Sequence, residues 1–131
     1  LFTVDTDTIP QNTLNAVNAI VDPQRKGPGT TAGLPAASAG QRYLFINNST
    51  GSTTGNAAAW RGTDGSPLVA NANDIVEYDG TRWNVVFDSS NISSVQYLTN
   101  LTTSVQYRWA SGEWLKSYEG LYPEGEWSLV L

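Results

Sequence analysis

Short runs of apolar and β-branched residues, separated by turn residues, fill the chain from Arg42 onward. The runs are RYLFIN, PLVA, DIVEY, RWNVVF, VQYLT, SVQYRW, EWLKSY and EWSLVL. Each run is four to six residues long and most are rich in Val, Ile, Tyr, Phe or Trp, which is typical of strands. We therefore predict an all-β domain over residues 41–131, either a small antiparallel sandwich or an open barrel built of hairpins.

Residues 1–40 show a different pattern. The apolar residues Leu14, Val17 and Ile20 are spaced as on one face of a short helix, which Pro23 would end. The stretch that follows is rich in proline and glycine and has almost no large apolar residue, so it cannot bury enough surface to fold by itself. We predict an extended arm or linker with room for one short helix. The alternative is that this segment lies on the domain as ordered coil.

The dipeptide Asp79-Gly80 is the strongest hairpin signal in the sequence. A two-residue type I′ loop needs positive φ at both positions, which Asp tolerates and Gly adopts freely. Such a loop would place Val76 opposite Trp83. The alternation in WNVVF then predicts that Trp83 and Phe87 lie on the same face of their strand.

Further glycine turns place aromatic residues opposite one another. With Ser111-Gly112 as a two-residue loop, Trp109 faces Trp114. Two interpretations of the aromatic residues remain open: they are cross-strand pairs that stabilise the hairpins, or some are exposed and stack on sugar rings. Under the second interpretation the candidate ligand-binding residues are Trp60, Trp109, Trp114, Tyr118 and Tyr122.

The composition excludes most common catalytic mechanisms. Histidine and cysteine are absent, which removes the thiol nucleophile, the Ser-His-Asp triad and the usual zinc or haem ligands. The pairs Asp5/Asp7 and Asn73/Asp74 lack the glycine-turned, glutamate-closed loop that binds calcium. The net charge of −5 has the wrong sign for neutralising phosphates, and no apolar run approaches the ~20 residues that span a bilayer. We expect no enzymatic activity, cofactor, metal, nucleic-acid partner or membrane insertion.

Carboxylates are the remaining candidates for chemistry. Glycoside hydrolysis needs two carboxylates at a fixed separation. The candidates near the last strands are Glu113, Glu119, Glu124 and Glu126. These acids fall at turn positions and strand ends, where acids are normally solvated. A glycosidase fragment is therefore a remote alternative.

Three blocks between Gly40 and Phe87 occur in a recognisable order: GQRYLFI, AAAWRGTDG and ANDIVEYDGTRWNVVF. Together they resemble a pattern found in modules of tailed-bacteriophage virion proteins and of host-specificity proteins in gene transfer agents. The resemblance implies a structural or host-contacting protein located in the virion, whose partners are other virion proteins or copies of itself. It implies no catalytic residues.

An N-terminal arm would suit assembly of such a particle. Virion proteins assemble symmetrically, often through arms that cross to a neighbouring subunit. Leu14, Val17 and Ile20 are the candidate assembly contacts of this arm. The alternative function is a carbohydrate-binding adhesin module in which exposed Trp and Tyr residues contact a host surface glycan.

Overall fold

The computed structural model describes residues 10–30 and 33–117. Over these ranges the chain forms short strands, one 3₁₀ helix at Asn56–Trp60 and no α-helix. The strands are β1 (Ala19–Val21), β2 (Arg42–Phe45), β3 (Ser49–Thr50), β4 (Val69–Ala70), β5 (Ile75–Tyr78), β6 (Trp83–Phe87), β7 (Gln96–Asn100), β8 (Val105–Ala110) and β9 (Glu113–Lys116). The predicted all-β class is therefore confirmed.

The strands form two main sheets and a short ribbon. The large sheet has the order β1-β2-β5-β6, in which β1 is parallel to β2 and the other neighbours are antiparallel. The meander sheet is the antiparallel series β7-β8-β9, and β3 pairs with β4 in the ribbon. Within the described residues no sheet closes into a barrel.

The two faces of the large sheet contribute to separate hydrophobic clusters. One face packs against the segment that carries Trp60 and Leu68, and we call this cluster the loop-side core. The other face packs against the meander sheet, and we call this cluster the inter-sheet core. The buried members of the loop-side core are Val21, Tyr43, Phe45, Trp60, Leu68, Ala70, Val76, Tyr78 and Trp83. Those of the inter-sheet core are Val17, Leu44, Ile75, Phe87, Leu98 and Trp109.

A β-bulge in β6 divides its aromatic residues between the two cores. The pairing with β5 shifts between Ile75 and Val76, where Val86 is the extra residue of β6. One extra residue moves every later side chain to the opposite face of the sheet. Trp83 therefore enters the loop-side core and Phe87 enters the inter-sheet core. The prediction that both lie on one face is wrong, because strict alternation does not continue across the bulge.

The N-terminal segment is extended and joins the two main sheets. Val17 forms a parallel bridge with Asn100 in β7, and β1 then pairs with β2 in the large sheet. Val17 is fully buried in the inter-sheet core, and Leu14 and Ile20 pack against the same cluster. We call residues 12–21 the N-terminal strap.

The strap corrects two expectations for the first part of the chain. Leu14, Val17 and Ile20 do not lie on a helix, because β2 and β7 offer hydrogen-bonding edges that the strap backbone pairs with. Their side chains pack within their own domain instead of being presented to a neighbour. Over its described residues, the segment before residue 41 is thus part of the β domain and not a separate arm.

The turn at Ser111-Gly112 forms as predicted. Both residues have positive φ, 55° and 81°, as a type I′ loop requires. Trp109 lies opposite Trp114, and their ring centroids are 5.4 Å apart. The cross-strand interpretation is confirmed for this pair.

The turn at Asp79-Gly80 is longer than predicted. Trp83 lies opposite Tyr78 instead of Val76, so the loop has four residues, 79–82. The Asp79 carboxylate accepts the backbone N–H groups of Thr81 at 2.8 Å and Arg82 at 2.9 Å, which stabilises this longer loop. The shift is by two residues, so Trp83 keeps the predicted face.

Candidate functional site

The sugar-stacking interpretation expects Trp60 to be exposed in the polar loop from Ser49 to Gly65, and the structure overturns this expectation. The 3₁₀ helix at the end of that loop turns the indole inward, where it is only 1% exposed. Its ring centroid lies 4.8 Å from those of Phe45 and Trp83. The indole N–H donates to the Lys26 carbonyl at 3.0 Å, so its polar atom is also satisfied inside the domain.

The Trp109 and Trp114 pair is only partly available to a ligand. Trp109 is buried, and its indole N–H donates to the Ile92 carbonyl at 2.9 Å. Trp114 is partly buried, packs on Phe87 at 5.2 Å between centroids, and donates its indole N–H to the Asn73 carbonyl at 3.1 Å. Of this pair, Trp114 alone keeps a partly accessible ring. The other candidates, Tyr118 and Tyr122, lie outside the described residues.

Exposed aspartates in the described ranges act as turn formers. At Asp64 the strongest effect is a hydrogen bond from the Ser66 hydroxyl, which lowers the pKa of the carboxyl. The Asp88 pKa is lowered in the same way by the Ser90 hydroxyl. At Asp79 the backbone N–H of Arg82 is the first cause of a lowered pKa. These carboxylates are ionised at neutral pH and are used to fix the backbone.

Asp74 is buried, with 2% exposure, and fixes the junction between two strands. Its carboxylate accepts the backbone N–H of Asn71 at 2.9 Å, the backbone N–H of Ser89 at 2.9 Å and the Ser89 hydroxyl at 2.7 Å. These bonds tie the turn before β5 to the end of β6. Both carboxylate oxygens are therefore engaged by the protein, and Asp5 and Asp7 lie outside the described residues.

Glu113 lies exposed at the start of β9, on the outer face of the meander sheet. It borders a surface concavity of about 370 Å³ together with Arg108, Leu115 and Lys116. Glu119, Glu124 and Glu126 lie outside the described residues. This concavity thus combines one carboxylate with two cations, and the described residues do not supply the second carboxylate of a glycosidase.

An open cleft also lies between the two main sheets. Its volume is about 270 Å³, and its lining is apolar or aromatic except at Asn73. We call it the inter-sheet cleft, and its lining residues are Ile20, Leu44, Phe45, Ile46, Asn73, Tyr107 and Trp114.

The inter-sheet cleft gathers residues from five segments of the chain. Sequence reasoning identified Trp114 as a ligand-binding candidate, considered Asn73 only as a calcium ligand, and missed Tyr107 and Ile46. The alternation in VQYRWA does place Tyr107 on the same face as Trp109. The approach of Asn73 and Ile46 to that face depends on tertiary packing, so no local pattern indicates it.

No protein-family model, curated protein or solved structure matches the chain. Within residues 10–30 and 33–117, no helix is long and apolar enough to cross a membrane. The same residues contain no cluster of three or more acidic side chains that could hold a metal ion.

Proposed function

We propose that the chain is a structural component of a tailed-phage virion, associated with the tail, neck or capsid. The observation that carries this proposal is the convergence of the three sequence blocks that resemble virion modules. Tyr43 of the first block, Trp60 of the second and Trp83 of the third are in mutual contact, with ring centroids 4.8–5.6 Å apart. The three blocks therefore pack together as one unit, which supports treating them as a single pattern.

The use of polar residues also supports a structural role. Asp64, Asp79 and Asp88 fix turns, and Asp74 clamps the ends of two strands. A particle component needs a defined, stable surface, and these contacts fix the backbone at several turns of the described surface.

Contacts with other virion proteins, or with copies of the chain, would fall on exposed apolar side chains. Val17 is fully buried within the domain, and Leu14 and Ile20 are partly buried against the same cluster, which leaves them little surface for this purpose. The exposed candidates include Val69, Leu101 and Leu115, each with more than half of its surface accessible. Side chains of this kind lose apolar surface to a partner on assembly.

Purified particles test this proposal. Phage particles produced by the host that encodes the chain would be banded on a density gradient and analysed by quantitative mass spectrometry. We expect peptides of this chain to band with the major capsid and tail proteins at a fixed molar ratio. Peptides found only in the soluble fraction of the lysate would contradict the proposal.

A further inference from the structure

We propose that the inter-sheet cleft binds one neutral pyranose ring of a saccharide, stacked on Trp114 and Tyr107. This inference does not depend on the virion role, because it rests on the lining of the cleft alone. The size of the cleft is the first indication. Pockets for drug-sized ligands span ~300–1,000 Å³. At about 270 Å³, the cleft suits a ligand of the size of a monosaccharide unit.

The accessible part of Trp114 offers an apolar ring surface and no donor. Its indole N–H is already bonded to the Asn73 carbonyl, and part of the ring is packed on Phe87 and Trp109. Tyr107 lies on the adjacent strand, partly buried and lining the same cleft. One face of a pyranose ring presents C–H groups, which pack favourably on the electron-rich face of an aromatic ring. The opposite edge of such a sugar carries hydroxyl groups.

Asn73 supplies polar groups for those hydroxyls. Two hydrogen bonds hold the Asn73 backbone at its φ of 79°. The Asn73 N–H donates to the Phe45 carbonyl at 2.7 Å, and the Asn73 carbonyl accepts the indole N–H of Trp114. Its carboxamide makes no hydrogen bond to any described residue, and neither does the Tyr107 hydroxyl. A carboxamide offers both a donor and an acceptor, which matches a pair of neighbouring hydroxyls.

The charge of the lining decides the class of sugar. None of the seven residues that line the cleft is charged; Lys116, which lies opposite Tyr107 in β9, lines the separate concavity beside Glu113. An acidic sugar would find no charged partner among these seven residues, whereas the hydroxyls of a neutral sugar match the carboxamide of Asn73. The ligand is therefore a neutral hexose or deoxyhexose unit and not a sialic or uronic acid.

The test combines a glycan microarray with matched variants of the full chain. The array would carry bacterial surface and animal glycans with neutral and acidic terminal sugars, and the best binder would be titrated by calorimetry. Asn73→Gly removes the carboxamide but tolerates the positive φ, and Tyr107→Ala removes one ring. Tyr97→Ala is the control, because Tyr97 faces the other side of the meander sheet, opposite Arg108. Thermal melts of all variants would establish that they remain folded.

We expect at least one neutral glycan to bind, with the indole N–H signal of Trp114 shifting in nuclear magnetic resonance spectra while that of Trp83 stays in place. Asn73→Gly and Tyr107→Ala should each weaken binding by about tenfold, whereas Tyr97→Ala should leave it unchanged. The inference is overturned if no neutral glycan binds. It is also overturned if folded Asn73→Gly and Tyr107→Ala bind as tightly as the parent chain.

Discussion

Single polar residues decide the geometry of this domain at its turns and strand junctions. Asp74 satisfies three donors from two separate segments, and Asp79 holds a four-residue loop where the Asp79-Gly80 dipeptide predicts a two-residue one. Sequence reasoning predicted a turn at Asp79 because Asp-Gly is a local signal. It could not predict the loop length, since this depends on which N–H groups the carboxylate accepts.

Replacing Asp74 should destabilise the domain strongly. In Asp74→Ala the donors of Asn71 and Ser89 lose their acceptor in a buried site. We expect a loss of about 2–4 kcal/mol in the free energy of unfolding, measured by urea denaturation. Glu113→Ala is the control, because Glu113 is exposed and should change stability by less than ~0.5 kcal/mol. Equal effects of the two substitutions would contradict the assigned role of Asp74.

Acid should weaken the turns that the exposed aspartates form. Hydrogen bonds hold the pKa of Asp79 below its ordinary value of 3.8, so the folded protein binds this proton less tightly than the unfolded chain. The stability that Asp79 confers is therefore present above its ordinary pKa and is lost as the pH falls through the lowered value. Urea midpoints between about pH 5 and about pH 2 should fall less steeply for Asp79→Asn than for the parent chain. Parallel curves would show that Asp79 does not contribute.

At the scale of secondary-structure elements, local sequence signals predicted where most strands lie, but they predicted poorly which strands pair with one another and in which register. The hairpin at Ser111-Gly112 was predictable because its register follows from the turn alone. The bulge at Val86 was not, because nothing local indicates where alternation breaks. The spacing of Leu14, Val17 and Ile20 predicts a short helix within an extended arm, and the structure has an extended strap there instead. Its true conformation depends on two strand edges that follow much later in the sequence.

Opposite effects are expected from two substitutions in the same hairpin turn. Asn at position 111 accepts positive φ more readily than Ser, so Ser111→Asn should raise stability by about 0.5–1 kcal/mol. Gly112 has a φ of 81° and open space around it, so Gly112→Ala tests backbone strain alone and should cost about 1–2 kcal/mol. Thermal melting of both variants measures the two changes. Shifts of the same sign would argue against a type I′ turn.

At the scale of the whole molecule, the strap connects the large sheet to the meander sheet, because its backbone pairs with β2 of the first and with β7 of the second. The large sheet and the meander sheet meet at the inter-sheet core, and Val17 occupies that core between its bridge to Asn100 and the start of β1. The sequence therefore predicted the β-rich class and several core residues, but not the joining of the sheets. That feature depends on contacts between residues more than 80 positions apart, such as Val17 and Asn100.

Truncating Val17 should show that the strap belongs to the domain. Val17→Ala leaves a cavity in the inter-sheet core and should cost about 2 kcal/mol in the free energy of unfolding. Asn15→Ala, in the same strap but exposed, should stay within ~0.5 kcal/mol of the parent chain. Chemical denaturation compares the two. If Val17→Ala is as stable as Asn15→Ala, the strap does not pack as described.

Hydrogen exchange of the tryptophan indole N–H groups, followed by nuclear magnetic resonance in the intact chain, tests most directly whether the aromatic residues build the fold. Trp60 and Trp109 are buried, and each donates to a backbone carbonyl of its own domain. Their indole protons should exchange only through global unfolding, and denaturant should accelerate both in parallel with the loss of stability. Exchange of either proton at the rate of free tryptophan would show that these rings are surface platforms and would contradict the account.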